Sequence, residues 1–524
     1  MGFAFVSAAT VFGLEAVHVE VEADISKGLP KFHVVGLPDT ATSEARERVR
    51  SAIKNSGLTF PRPVITVNLA PASLKKHGAS YDLPIALGIL VADGTIPPKA
   101  LDRILVLGEL ALDGRIRTTT GILPCVMMAK KTGFTGVIVP EENAREAALI
   151  EGILVHPVKD LRAIVQALND GILPLYTPPN ELDSSLHLPL TKGDVGREFR
   201  KSGTDFADIA GQSQAKRALE IAASGGHNVL LIGSPGSGKT LLARALPGIL
   251  PPLSFDEALE ITAIHSVHGS LDKDEVLLRD RPFRSPHHSA SGVALVGGGG
   301  NPKPGEITLA HRGVLFLDEF PEFPRRALEH LRQPLEEGRV TVSRAAGSVA
   351  FPARFMLVAA MNPCPCGYAF DQERTCVCTD FVKERYRQKI SGPLLDRIDL
   401  IVEVPRLPLS AFSDSSRESS QAVCDRVTRA REISRTRYES VGISTNAELG
   451  ASTLKHFCIL EPDDLAYFQK AAESLRLSAR AYTRILKVAR TIADLNENPA
   501  IERGHLMEAL QFRSTLTGDN QADS

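Results

Sequence analysis

Gly233-Ser-Pro-Gly-Ser-Gly-Lys-Thr240 constrains this chain more than any other stretch. It follows the apolar run Val229-Leu-Leu-Ile232 and precedes the helical pattern Leu241-Leu-Ala-Arg-Ala-Leu246. Strand, glycine-rich loop and helix in that order are the context a phosphate-binding P-loop needs. In the loop Gly233, Ser234, Pro235, Gly236, Ser237 and Gly238, the glycines would let the available backbone N–H groups turn inward around phosphate oxygens, Pro235 having none to offer. The helix that follows points its positive end at the same anion. Lys239 would reach the β- and γ-phosphates and Thr240 would hold Mg²⁺, so ATP with Mg²⁺ is the expected ligand. A chain built on this unit needs a parallel α/β sheet, because the loop must sit at the carboxyl end of a buried strand.

Two later strands extend the site. Gly313-Val-Leu-Phe-Leu-Asp318-Glu319 is an apolar run ending in two carboxylates. Asp318 would complete the Mg²⁺ shell and Glu319 would polarise the attacking water, the pattern of a Walker B strand. Arg354-Phe-Met-Leu-Val-Ala-Ala-Met-Asn362 ends in an amide that can orient water or contact the γ-phosphate; capping the strand end is the plainer role. Ser391-Gly-Pro-Leu-Leu-Asp-Arg397-Ile-Asp399 offers an arginine, which could equally pair with Asp396 or Asp399. Ser478 to Asp494 reads as an amphipathic helix, with Ile485, Leu486, Val488 and Ala489 facing a core. Arg480 near its start opposes the usual helix-dipole preference, which an anionic partner would resolve; a solvated surface arginine is the alternative.

Length and composition bound the rest. The chain has 524 residues, enough for two to four domains, with 43% hydrophobic and 23% charged residues. A net charge of −2 advertises no global affinity for nucleic acid, although a ring can gather basic groups on one inner surface. The sequence contains no apolar run long enough to span a bilayer, and the apolar N-terminus lacks a basic start before Lys27. No membrane association and a cytoplasmic location are therefore expected. Of seven cysteines, Cys364, Cys366, Cys376 and Cys378 cluster as two C-x-C pairs nine residues apart. Four thiolates in one loop would satisfy a structural Zn²⁺; free thiols at a loop tip are the alternative.

Residues 1–170 read as a separate α+β unit. Val17-His-Val-Glu-Val-Glu22 alternates as a strand, and Val64-Ile-Thr-Val-Asn-Leu69 is an apolar strand. Thr42 to Arg50 reads as a capped helix, with Ala45, Val49 and Ile53 at helical spacing. Gly78-Ala-Ser80 opens an apolar helix, Gly108 to Arg115 is a hairpin with an Asp-Gly turn, and Gly136-Val-Ile-Val-Pro140 is a short buried strand. This stretch resembles the proteolytic domain of Lon proteases, in which a serine at the position of Ser80 is the nucleophile. The resemblance puts the lysine of that dyad at about Leu123, and the sequence has no lysine between Lys99 and Lys130. Ser80 is therefore expected to be a helix-start hydroxyl, and the unit to be non-proteolytic, as in the related domain of the RadA recombination protein. Residues 171–203 read as a linker, rich in Pro, Gly, Ser and charge.

Residues 204–405 resemble the AAA+ superfamily, in its branch of magnesium-chelatase ATPase subunits and minichromosome-maintenance helicases. Residues 406–515 would be its helical lid and 516–524 a tail. The resemblance implies that Arg397 is an arginine finger reaching a neighbour's ATP, that Arg480 is the sensor-2 arginine over the same phosphates, and that subunits form a hexameric ring. It also implies two pore inserts: Ser289 to Gly305, with four consecutive glycines and Lys303, and the hairpin Gly338 to Phe351, with Arg344 at its turn. Lys303 and Arg344 would contact a phosphate backbone without sequence preference; each alone reads as a solvated charge.

The order of these units, with Ser391 to Asp399 and Met361-Asn-Pro-Cys-Pro-Cys-Gly367, resembles the bacterial ComM/YifB family. The resemblance implies a hexameric DNA helicase that promotes branch migration in recombination during natural transformation. DNA, single-stranded and branched, is the implied partner, together with copies of the chain and recombination proteins. An ATP-dependent protease or unfoldase, and a motor subunit for Mg²⁺ insertion into porphyrin, are the competing readings.

Overall fold

The computed structural model describes residues 2–37, 40–72, 76, 78–177, 203–272, 276–299, 302–344, 347–371, 373–408 and 417–514. It is a mixed α/β structure with two largely or wholly parallel sheets and a helical C-terminal region, the expected fold class.

The N-terminal unit is a seven-stranded sheet. The long strands Gly2–Phe12 and Glu15–Ser26 form an antiparallel hairpin at its centre, and Val64–Ala70 pairs antiparallel with the second of them. Ile104–Val106, Gly136–Pro140 and Leu154–Val158 continue the sheet in parallel on the other side. The alternation read from Val17 onward is real: Val19, Val21, Ala23 and Ile25 are buried and their neighbours are not. They cover the helix Asp82–Ala92, which is buried at every position. The helix Thr40–Asn55 buries Ala45, Val49 and Ile53 as its spacing predicts. The side chain of Thr42, read as its cap, lies outside the described residues. Gly114, at φ 89°, makes the Asp-Gly turn between Glu109–Leu110 and Ile116–Arg117.

The second sheet has five strands, all parallel, in the order Phe283–Arg284, Val314–Leu317, Met356–Met361, Val229–Ile232 and Leu400–Glu403. Nearly every residue of its four long strands is buried, as strands covered on both faces must be. The helices Ser420–Tyr438, Ala451–Phe457, Pro462–Ser474, Ala479–Leu495 and Arg503–Ser514 form the C-terminal region. Ser478 caps the fourth by accepting the Ala481 N–H at 3.2 Å. The region's buried polar centre is Asp494, which takes Arg437, Arg490 and Asn446.

The two sheets are not independent beads. Helix Phe255–His268 puts Ala258, Ile261 and Ala263 into one apolar cluster with Ile122, Leu123 and Val126. At its end the Ser266 hydroxyl donates to the buried Glu146 carboxylate at 2.5 Å, and the Gly121 N–H donates to Ser266 O at 3.2 Å. Burial raises the Glu146 pKa, and the hydroxyl bond opposes that.

Of the stretch read as a linker, Ile172–Tyr176 is pinned: Tyr176 N–H donates to Val155 O at 2.8 Å, and His156 Nδ1 lies 2.8 Å from Pro174 O. Residues 178–202 lie outside the description.

Candidate nucleotide site

The loop after Val229–Ile232 lies at the carboxyl end of the parallel sheet, where a crevice opens between strand ends. Gly236 and Gly238 adopt φ of 79° and 95°, and a Cβ built on either would meet nothing within 4 Å. The loop therefore turns its backbone to open space. The Ser237 hydroxyl is buried with no protein partner, a donor that a phosphate oxygen would satisfy. Gln212 supports the loop from behind: its Nε2 donates to Ser237 O at 3.1 Å and to Pro405 O at 2.7 Å.

Lys239 is buried, and its ammonium donates to Gly233 O at 2.7 Å, Ser234 O at 3.0 Å and Asn362 Oδ1 at 3.3 Å. Burial lowers its pKa, and Asp318 works in the opposite direction. The hydroxyl of Thr240 donates to Asp318 Oδ2 at 2.8 Å. Thr240 and Asp318 thus offer two oxygens at one point, a donor set suited to Mg²⁺. Asn362 ends the central strand beside them. Pairing of neighbouring strands brings Lys239, Thr240, Asp318 and Asn362 together from distant positions.

Glu319 stands at φ 50°, uncommon for a residue with a side chain, and its carboxylate lies 3.0 Å from His288 Nδ1. Sequence reasoning missed His288. The only signal was the adjacent pair His287-His288 just before the glycine-rich insert, and the pairing depends on the edge strand Phe283–Arg284 lying beside Val314–Leu317.

The two arginines lie elsewhere. Leu400–Glu403 runs in register with Val229–Ile232, so Arg397 stands at the amino end of the sheet and the P-loop at the carboxyl end. Arg397 is buried; it pairs with Glu336 and donates to Pro393 O, while its Nε has no partner. Neither Asp396 nor Asp399 is its mate. Asp399 instead takes Arg484 and the Asn228 N–H; burial alone would raise this carboxyl, but Arg484 and His227 hold it well below the usual range. Arg480 is exposed, 3.9 Å from Asp396, and lines a small cavity with Arg397 and Arg484. Arg480 thus stands beside Arg397, at the amino end of the sheet and away from the P-loop of its own chain.

Lys303 stands on the short hairpin Gly297–Gly298 with Lys303–Pro304. It lines a cavity of about 330 Å³ facing the N-terminal unit, together with Ser80, Glu109 and Thr118. Arg344 ends the first strand of the hairpin Arg339–Arg344 with Gly347–Pro352; its side chain lies outside the described residues. The body of that hairpin is packed, with Val342, Val349 and Phe351 buried. Its Val349 reaches the turn at Gly13, where an added Cβ would lie 2.2 Å from Cγ1. Ser80 does not cap the helix Asp82–Ala92, whose capping position is Tyr81 without a side-chain bond. Leu123, at the dyad-lysine position, is fully buried in the interdomain cluster.

The four clustered cysteines converge. Cys364 and Cys366 sulfurs are 3.3 Å apart, and Cys376 lies 3.7 and 3.6 Å from them. All four sulfurs, Cys378 included, fall within 4.8 Å of one another.

Comparison with known proteins decides the family. Residues 205–412 match the family described as magnesium chelatase, subunit ChlI; residues 21–143 match subunit ChlI of Mg-chelatase, and residues 417–513 its C-terminal region. The chain is 44% identical over 517 residues to YifB of Escherichia coli, covering 98% of this chain and 97% of that protein. It is 43% identical over 521 residues to the competence protein ComM of Haemophilus influenzae, covering 98% of each. The chain belongs to the ComM/YifB family of magnesium-chelatase-like AAA+ proteins. Within the family the crevice described here is where ATP hydrolysis would occur. Similarity to a magnesium-chelatase 67 kDa subunit of Chlorobaculum parvum is narrower, 34% over 164 residues and 30% of this chain. Among the described residues, no helix of this family member is long and apolar enough to cross a membrane.

Proposed function

We propose that this protein is an ATP-driven ring translocase of the cytoplasm that moves on single-stranded and branched DNA and promotes branch migration in recombination during natural transformation. The observation that carries the motor part is the separation of Arg397 from the P-loop of its own chain. A finger at the amino end of the sheet can serve only a nucleotide held by another copy, and head-to-tail contacts of that kind close into rings. A hexamer is the ring we propose. The DNA part rests on the family, one of whose members is named a competence protein.

Each residue then has a task. The loop amides and Lys239 bind the phosphates, while Thr240 and Asp318 hold Mg²⁺, which would offset charge on the phosphate oxygens. Glu319 orients water and takes its proton, and Asn362 fixes the γ-phosphate end of the crevice. Arg397, with Arg480 beside it, brings positive charge from the neighbouring copy to the transferring phosphoryl group. The strand ending in Asn362 directly follows the hairpin Arg339–Pro352, so a shift at the phosphates reaches the hairpin. Arg344 at its tip is our DNA contact. Lys303 is a second contact only if the cavity at Ser80 opens onto the track.

Burial of Leu123 where a dyad amine would stand speaks against proteolysis. Identity to YifB and ComM covers 98% of the chain, against 30% for the magnesium-chelatase 67 kDa subunit, which favours this reading over a porphyrin-metallating motor. The test is ATP hydrolysis without DNA and with single-stranded, duplex and forked DNA, with Lys239→Ala and Glu319→Gln as controls. Forked and single-stranded DNA should raise the rate of the wild type and of neither variant. If no DNA raises the rate and no strand is displaced on branched substrates, the translocase reading fails.

A further inference from the structure

Between the strand Met356–Met361 and the helix Asp380–Arg387 the described chain forms no regular element. It has little core of its own: Val377 is 84% exposed. Yet four sulfurs converge in it. A tetrahedral tetrathiolate zinc site with Zn–S of about 2.3 Å needs sulfur–sulfur edges of about 3.8 Å. The observed separations of 3.3, 3.6 and 3.7 Å are close to that, and far beyond the roughly 2.05 Å of a disulfide. The backbone surrounds the sulfurs with donors. N–H groups of Gly367 and Ala369 face Cys364, those of Tyr368 and Val377 face Cys366, and that of Cys366 faces Cys378. Amide donors of this kind stabilise metal-bound thiolates and fix their orientation.

The same loop leans on the nucleotide loop. Cys364 follows Asn362 by two residues, and Asn362 accepts from Lys239. Gly367 sits at φ 87°, and a Cβ there would lie 2.6 Å from Pro235 Cδ, so its backbone packs directly on the P-loop proline. Farther along, the Ser234 hydroxyl lies beside the Asp371 carboxylate.

We propose that Cys364, Cys366, Cys376 and Cys378 bind one Zn²⁺ and that this site clamps the nucleotide loop, making ATP affinity depend on the metal. The proposal rests on the ATP site argued above. Without the metal, the segment behind Pro235 and Ser234 has too little buried apolar surface to stay ordered. The P-loop then loses its rear support, although none of the four cysteines touches phosphate.

The test uses the full-length protein. Zinc is released with a thiol reagent and measured by a chromogenic chelator, and affinity for a fluorescent ATP analogue is titrated before and after. One zinc per chain is expected, with binding at least fivefold weaker after release and restored by zinc with reductant. Gly367→Ala keeps every thiol; it should retain zinc and still bind nucleotide several-fold more weakly. Cys376→Ser should lose the metal and the affinity together, with the C-terminal helices melting as in the wild type. Absence of stoichiometric zinc, or unchanged affinity after its release or in Gly367→Ala, overturns the clamp. Failure of the ATP site itself looks different: the zinc-loaded wild type would then bind the analogue no better than Lys239→Ala.

Discussion

If Arg397 serves a neighbour's nucleotide, then two inactive variants should rescue each other. The strands Val229–Ile232 and Leu400–Glu403 lie in register over four pairs. At about 3.3 Å per residue the sheet alone separates the P-loop from Arg397 by about 13 Å, before the flanking turns are counted. An arginine cannot bridge that within one chain, and this one is held at its own end by Glu336 and Pro393. Loss of an arginine finger costs about 10³- to 10⁵-fold in rate, so Arg397→Ala alone should be inactive, as should Lys239→Ala. In a 1:1 mixed assembly, an interface works when Arg397→Ala supplies the loop and Lys239→Ala supplies the finger. Random head-to-tail neighbours meet that condition in about one interface in four, whatever the ring size. Co-expressed, differently tagged subunits purified through both tags should therefore hydrolyse ATP at about a quarter of the wild-type rate per chain if interfaces fire independently. The readout is steady-state phosphate release with saturating ATP. A mixture no faster than its parents, in rings shown to contain both tags, would refute action on a neighbour.

Three further outcomes follow from local geometry. His288 holds the exposed Glu319 carboxylate, and an exposed pair of this kind is worth about 0.2–1 kcal/mol, so His288→Ala should raise unstimulated ATP hydrolysis by up to about fivefold. A tenfold fall would instead give His288 a direct part in the reaction. Asp494→Ala leaves Arg437 and Arg490 without their shared buried carboxylate and should cost about 3–5 kcal/mol in urea unfolding of the C-terminal helices; a loss under 1 kcal/mol would contradict the network. His265 is pushed down to about 4 by burial, then by Arg284 and His268, so it stays neutral in the fold. Its contribution is complete above the ordinary histidine range and is lost as the pH falls through 6 towards 4, by at most about 1.4 kcal/mol per pH unit. The thermal midpoint of His265→Gln should fall less steeply over that range than that of the wild type, and equal slopes would remove His265 from the account.

What the sequence by itself determined is local or periodic. A buried four-residue strand, a loop of glycines and the hydroxyl and amine of Thr240 and Lys239 lie in adjacent positions, so their order alone marks the expected phosphate cradle. Alternation along Glu15–Ser26 and helical spacing along Ala479–Leu495 likewise reveal which faces are buried. The family, too, was legible, because unit order and the segments around Arg397 and Cys364 are linear features.

Other facts exist only in three dimensions. The sequence could not say that His288 would meet Glu319, since that depends on which strand lies at the sheet edge. It could not place Arg480 beside Arg397 at one cavity, because the direction from which a helix packs on a sheet is set by the whole buried surface. That Lys303 shares a cavity with Ser80 was likewise not legible, because the two meet only when the N-terminal unit packs on its neighbour. Ser80 read as a helix cap, and the backbone assigned that place to Tyr81 instead. Residue type and spacing decide what chemistry each segment can offer. Strand order, and the apolar clusters that close over it, decide which of those groups meet within the chain.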